Sequence, residues 1–179
     1  MRRAALLTGL IFALLSLGAG SAAASDLEVT VGGGAGYQFE LEAPLVLLEA
    51  RAAYPLVDAV DLAVQLQGNY FFVEQYEFLG ATFRSTILQF DLNLLAHLDL
   101  DTVVIPYLGL GPALVHARAR ATSSNNNTIA SSESTDMGFN FVVGLMINSP
   151  FNPFVQARAT MLDGETSISV MGGISVRVN

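Results

Sequence analysis

Alternation of apolar and polar residues with a period of two constrains this chain more than any other feature. In the stretch QFDLNLLAHL, Gln89 to Leu98, one parity carries Phe90, Leu92 and Leu94, and the other carries Asp91 and Asn93. Successive side chains of a β-strand point to opposite faces, so the stretch predicts a strand with one apolar and one polar face. Such a strand fits a soluble protein, with its polar face in water, or a membrane barrel, with its apolar face in lipid.

The same alternation recurs in segments that are separated by turn-rich breaks. The eight segments are Leu27–Phe39, Val46–Tyr54, Leu62–Phe72, Gln89–Leu98, Val104–His116, Phe139–Ile147, Val155–Met161 and Ile168–Val178. Most are close to the ~9–11 residues that a tilted strand needs to cross a bilayer. Two details leave alternatives open: LVLLEARAA also suits a helix, and Pro112 removes a ladder hydrogen bond unless a bulge absorbs it.

The N-terminus carries the features of a secretory signal peptide. Two arginines precede an apolar run from Ala4 to Leu17, and small residues follow up to Ala24. The run is short for a membrane span, so we expect residues 1–24 to be removed and the mature domain to comprise residues 25–179.

Charge and composition exclude several classes of function. Without Arg2 and Arg3, six arginines and no lysine face 16 acidic residues, a net charge of about −10. Such a chain is a poor partner for nucleic acid, whose phosphates require a basic patch. The chain has no cysteine, which excludes disulfides and thiolate metal sites. No apolar run of transmembrane-helix length follows residue 24.

The breaks between the strands differ in length on the two sides of the predicted barrel. On the periplasmic side, the turns at 55–60, 99–103 and 149–152 are short. On the other side, 40–44 and 162–166 are short, but 73–83 and 118–136 are long. This asymmetry is typical of outer-membrane barrels. The Ser- and Asn-rich tract 118–136 predicts a mobile, solvated surface loop that could meet a partner.

Aromatic residues concentrate near the predicted strand ends, as in the two belts of a membrane barrel. The belt residues are Tyr37, Phe39, Tyr70, Phe72, Phe139 and Phe141 at the upper ends, with Tyr54, Tyr107 and Phe154 at the lower ends. These belts favour lipid around the apolar parity, with Asp91, Asn93 and His97 facing inward.

The chain resembles the small outer-membrane barrels of Gram-negative bacteria, of the OmpA-type transmembrane domain and porin-like barrel families. The resemblance rests on the signal peptide and the segments VTVGGGAGYQF, IPYLGLGPALVHAR and SVMGGISVRVN. It implies an all-β, eight-stranded antiparallel up-and-down transmembrane barrel in the outer membrane. It also implies outer-membrane lipids, lipopolysaccharide and the barrel assembly machinery as partners. Such proteins usually end on an aromatic residue, whereas this one ends on Asn179.

An eight-stranded barrel has an interior that side chains can fill. The predicted inward charged and polar residues are Glu28, Glu49, Arg51, Asp91, Asn93, Arg158 and Arg177. Buried charges must pair or be hydrated, and the first and last strands must meet to close the barrel. We therefore expect Glu28 and Arg177 to be neighbours. Glycines on the inward parity, among them Gly144, would make room for long side chains.

No catalytic or metal-binding motif is present. The chain lacks a G-x-S-x-G elbow, an H-E-x-x-H pair and dinucleotide-spaced glycines, and neither His97 nor His116 starts a His-x-Ser pair. The sequence therefore predicts a structural or surface-interaction protein without catalytic site, metal or cofactor. Two alternatives stay open: a secreted lipocalin-like barrel that carries an apolar ligand, and a narrow solute channel.

Overall fold

A computed structural model describes residues 27–57, 59–78, 81–123 and 128–178 of the chain. The predicted signal peptide lies outside the described residues. The strands are β1 (Glu28–Gln38), β2 (Ala43–Val57), β3 (Val60–Phe71), β4 (Tyr76–Phe78), β5 (Ala81–Leu98), β6 (Val104–Ser123), β7 (Thr128–Ile147), β8 (Pro153–Leu162) and β9 (Glu165–Arg177). No helix of this described part is long and apolar enough to cross a membrane.

Eight of these strands form a closed antiparallel ring. Each strand pairs with its neighbour in sequence, β1 pairs with β9, and β3 pairs with β5. The short β4 only extends the wall above β3, where it pairs with the upper end of β5. Closure leaves no unpaired edge in the ring, which confirms the predicted eight-stranded antiparallel barrel.

Pairing across the sheet decides the two ambiguous segments. LVLLEARAA lies within β2, where it pairs with β1 on one side and β3 on the other, so the ladder overrides helix propensity. Around Pro112, the pairing of β5 with β6 has a gap between Asp91–Ala113 and Leu94–Leu110. The register is the same on both sides of this gap, so the wall omits hydrogen bonds at the proline and contains no bulge there.

The connections do not keep the predicted asymmetry in loop length, because most of the two segments predicted as long loops belongs to strands. Asp163 and Gly164 both have positive φ in the tight turn between β8 and β9, as an Asp-Gly hairpin requires. The prediction of a mobile loop at 118–136 is wrong, because β6 runs to Ser123 and β7 begins at Thr128. Ladder bonds between these strands continue the hairpin beyond the apolar wall, for backbone pairing requires no apolar side chains. Likewise, much of 73–83 belongs to β4 and β5.

Parity separates an apolar exterior from a polar interior. On β5, Phe90, Leu92 and Leu94 are exposed, whereas Asp91 and Asn93 are buried. The same division holds around the ring: the exposed set is dominated by large apolar residues, and the buried set is rich in glutamine, asparagine and charge. This arrangement is the reverse of a soluble barrel and matches a protein whose outer solvent is hydrocarbon.

Candidate functional site in the barrel lumen

Two buried ion pairs lie in the lumen. Arg158 Nη1 on β8 lies 2.5 Å from Asp91 Oδ2 on β5. Arg51 Nη2 on β2 lies 3.0 Å from Glu49 Oε2 on the same strand. All four side chains are almost completely buried, so each charge depends on its partner and on nearby amides. The structure thus places these four predicted lumen residues inside the barrel, in two separate pairs.

Amide side chains run across the lumen from β8 to the Asp91–Arg158 pair. Gln156 Nε2 on β8 donates to Gln67 Oε1 on β3 at 3.0 Å, and Gln67 Nε2 donates to Asn69 Oδ1 at 2.9 Å. Asn69 Nδ2 then donates to Asp91 Oδ2 at 2.9 Å. Because β3 and β8 lie on opposite sides of the ring, these bonds cross the interior from wall to wall. A connected network of polar side chains therefore crosses the lumen.

Arg51 is further held between two aromatic rings. Its guanidinium carbon lies 4.9 Å from the ring centroid of Tyr107 and 5.0 Å from that of Phe154. The Tyr107 hydroxyl accepts from Arg51 Nη2 at 3.4 Å and donates to Gln156 Oε1 at 3.1 Å. Cation–π contacts of this kind strengthen where water is excluded. Tyr107 therefore connects the Arg51–Glu49 pair to the bonds that cross the lumen.

This placement corrects the predicted aromatic belts at two positions. Tyr107 and Phe154 are only 1% and 6% exposed, so they face the lumen and not lipid. Both residues lie near the lower ends of their strands, which suggested a belt. Parity decides the face, however, because Tyr107 shares its parity with buried Ala113, and Phe154 shares its parity with buried Arg158. The remaining belt residues are exposed on the outside: Tyr37, Phe39, Tyr54, Tyr70, Phe72, Phe139 and Phe141.

Gly144 makes room for the Tyr107 ring. The two residues are directly opposite each other in the pairing of β6 with β7. A Cβ atom on Gly144 would overlap Cζ and the hydroxyl of Tyr107. A residue larger than glycine at this position would push the ring away from Arg51.

Glu28 and Arg177 meet at the rim where the barrel closes. Arg177 Nη2 on β9 lies 2.6 Å from Glu28 Oε2 on β1. The Arg177 side chain is 53% exposed and that of Glu28 is 35% exposed, so this pair lies at the wet lower mouth and not in the lumen. The two predicted neighbours are therefore adjacent, but they are rim residues.

The lumen residues Gln65, Gln67, Asn69, Asn140 and Gln156 were not among the predicted site residues. Their signal is present in the sequence, since each occupies the polar parity of its strand. Asn93, which was predicted, donates through Nδ2 to Gln65 Oε1 at 3.0 Å. Within the described ranges, no group of three or more His, Cys, Asp or Glu residues could hold a metal ion.

Solved outer-membrane proteins share this architecture. Ail, the attachment invasion locus protein of Yersinia pestis, is 12% identical and superimposes with a TM-score of 0.61 over 85% of this chain and 97% of Ail. A major outer membrane protein from Thermus thermophilus is 13% identical, with a TM-score of 0.57 over 85% of this chain and 99% of that protein. No family model and no curated protein sequence matches the chain. The fold, the apolar exterior and the polar lumen define a small barrel of the outer-membrane type.

One solved structure with this fold is an enzyme. The outer membrane enzyme PagL is 11% identical, with a TM-score of 0.52 over 83% of this chain and 99% of PagL. At this identity the likeness concerns the fold alone. Whether this chain has catalytic activity must therefore be decided from its own side chains.

Proposed function

We propose that this protein is exported and resides in the bacterial outer membrane, where it has a structural or surface-interaction role and no catalytic site. The observation that carries the proposal is the combination of a closed ring, an apolar exterior and a lumen crossed by buried ion pairs and amides. A lipocalin-like carrier would need the opposite faces, with an apolar interior for its ligand. The partners of the proposed outer-membrane protein are outer-membrane lipids, lipopolysaccharide and, during biogenesis, the barrel assembly machinery.

The extended arms above the membrane supply a surface for interaction. β6 and β7 are 20 residues each, about twice the length that crosses a bilayer. A precedent for a charged ligand on this fold is Ail, which has been solved in complex with the heparin analogue sucrose octasulfate. For this chain, we propose that the projecting β6–β7 hairpin meets the surface partner.

The first test is heat-modifiability together with conductance. We expect the unboiled protein from the outer-membrane fraction to migrate differently from the boiled protein on SDS gels, because a closed ladder resists detergent. We also expect no stepwise conductance in planar bilayers, because side chains cross the lumen. A soluble periplasmic protein without a gel shift would contradict the proposed location, and steady conductance would favour the channel alternative.

His116 allows a test of one side-chain arrangement that could support catalysis. Its Nδ1 lies 2.9 Å from Thr135 Oγ1, and its Nε2 lies 3.8 Å from Glu133 Oε1 on the outer surface. A catalytic triad needs the base oriented by a hydrogen bond to its third member, and 3.8 Å is too long for one. We expect His116→Ala to leave hydrolysis of a p-nitrophenyl acyl ester at the wild-type background. A wild-type rate that depends on His116 and Thr135 would instead assign an esterase function.

A further inference from the structure

Three exposed arginines form a cluster on the upper outer surface, where β5 and β6 project beyond the apolar wall. Arg84 on β5 is directly opposite Arg120 on β6, and Thr86 is opposite Arg118. The three arginines share the outward parity of Leu88 and are all exposed. Like charges directly opposite each other destabilise a strand pair, so an anion bound between the arginines would stabilise this part of the β5–β6 pairing.

In the described part of the chain, the three arginines of this cluster form no ion pairs, although Glu133 on β7 lies directly opposite Arg118. Arg84 donates to the neutral Gln75 at 3.1 Å. The carboxylate of Glu133 lies 3.8 Å from His116 Nε2, and that of Glu77 on β4 accepts a hydrogen bond from Thr82. The three guanidinium groups are therefore open to an anionic ligand.

The height of the cluster corresponds to the lipid headgroups. On the outer face of β5, Leu98 to Leu88 spans about 33 Å along the strand, or about 25 Å of membrane thickness at the usual tilt. This is the height of the apolar band of an outer-membrane barrel. Arg118, opposite Thr86, lies about 5 Å above this band, within the headgroup layer, and Arg84 and Arg120 lie about 10 Å above it, at the outer edge of that layer.

An apolar groove lies on the outer wall below the cluster. Gly68 on β3 stands in register between Leu48 on β2 and Phe90 on β5, and its missing side chain leaves a depression in the row. The groove has a volume of about 670 Å³, and Tyr70, Leu88 and Met137 are among the outward residues that line it. Leu88 pairs with His116, two residues before Arg118, so the groove lies beneath the arginines.

We propose that this face binds one phosphorylated lipid of the outer leaflet, with its phosphates on Arg84, Arg118 and Arg120 and an acyl chain in the groove over Gly68. The inference rests on the proposed membrane location and deepens it by assigning the site of lipid recognition. Guanidinium groups bind phosphate through charge-assisted and often bidentate hydrogen bonds. A phosphorylated lipid is the occupant because it combines an anionic head with an apolar chain in the order that the surface presents them.

Binding of lipid A tests the basic half of the site. The probes are hexa-acylated lipid A with both phosphates and its dephosphorylated form, measured by native mass spectrometry on the refolded barrel in neutral detergent. We expect the phosphorylated form to bind about tenfold more tightly or better, and the triple variant Arg84→Gln, Arg118→Gln, Arg120→Gln to lose this preference. Arg177→Gln, which removes a charge at the opposite rim, is the control and should bind as wild type. A triple variant that binds phosphorylated lipid A as tightly as the wild type would overturn the proposal.

Gly68→Leu tests the apolar half. A Cβ atom at Gly68 would make ordinary contacts of 3.6 and 3.7 Å with the Phe90 ring, so a side chain there fills the groove without forcing the backbone apart. We expect Gly68→Leu to weaken binding of phosphorylated lipid A several-fold. The matched control is Ala159→Leu, an outward position on β8 away from the groove. If Gly68→Leu binds phosphorylated lipid A as tightly as Ala159→Leu does, the acyl chain does not occupy the groove over Gly68.

A soluble polyanion is the rival ligand of the arginines. If a heparin oligosaccharide displaces lipid A completely and Gly68→Leu affects neither ligand, the cluster recognises a polysaccharide and the lipid proposal fails. The gel shift of each variant separates this failure from that of the proposed location. A barrel that shifts normally but shows no phosphate preference overturns only the lipid site, whereas a protein that never enters the membrane overturns both.

Discussion

Replacing Asp91 with alanine is expected to lower the free energy of unfolding by about 3–5 kcal/mol. The substitution removes the carboxylate that lies 2.5 Å from Arg158 Nη1 and leaves a guanidinium almost fully buried in the lumen without its counter-charge. It also removes the acceptor of the Asn69 and Gln89 amides. Urea unfolding of the refolded barrel in detergent micelles, followed by the gel shift, measures the effect.

Two comparisons separate this effect from a general loss of charge. Glu28→Ala breaks an ion pair of the same chemistry at the exposed rim, and it should cost no more than about 1 kcal/mol. The double variant Asp91→Asn, Arg158→Met removes both charges, and it should recover most of the loss. If Asp91→Ala is no more harmful than Glu28→Ala, water reaches Arg158 and the lumen is not closed by this network.

Local periodicity in the sequence predicts most of the fold of this protein. The alternation from Gln89 to Leu98 decides which side chains of β5 face outward, because one residue of slip would reverse every side chain. Composition was a poorer guide in the tract 118–136, where Ser, Asn and Thr suggested a loop. There the partner strand supplies ladder bonds from Ala121 down to the barrel, which a single segment does not reveal.

The pairing of the lumen residues depends on the stagger of the strands around the ring. Parity places Asp91 and Arg158 inside, yet their contact joins strands three positions apart in the ring. Such contacts follow from shear and tilt, which the sequence does not display locally. The Glu28–Arg177 pair was predictable because closure of the barrel requires the first and last strands to be adjacent. Tyr107 was predicted wrongly although its position was readable from the sequence. Its height in the strand suggested a belt, whereas its parity places it inside the barrel.

Tyr107→Ala is expected to lower the free energy of unfolding by about 3–5 kcal/mol. The change leaves a cavity in the lumen, removes the cation–π contact with Arg51 and breaks the hydrogen bond to Gln156. Gly144, which lies opposite the ring, has no side chain that could fill the space. Urea unfolding in micelles measures the loss, and conductance measures whether the cavity connects to either mouth of the barrel.

Tyr54→Ala is the matched control, because it removes the same side chain from the lower outer belt. A ring at the membrane boundary loses less on truncation than one packed in the lumen, because lipid and headgroups replace its contacts. Tyr107→Phe keeps the ring and should lose only about 1–3 kcal/mol for the polar partners left behind. If Tyr107→Ala and Tyr54→Ala cost the same, Tyr107 contributes no more than a belt residue. A large gap between them would establish that Arg51, Tyr107 and Gln156 close the lower lumen as one unit.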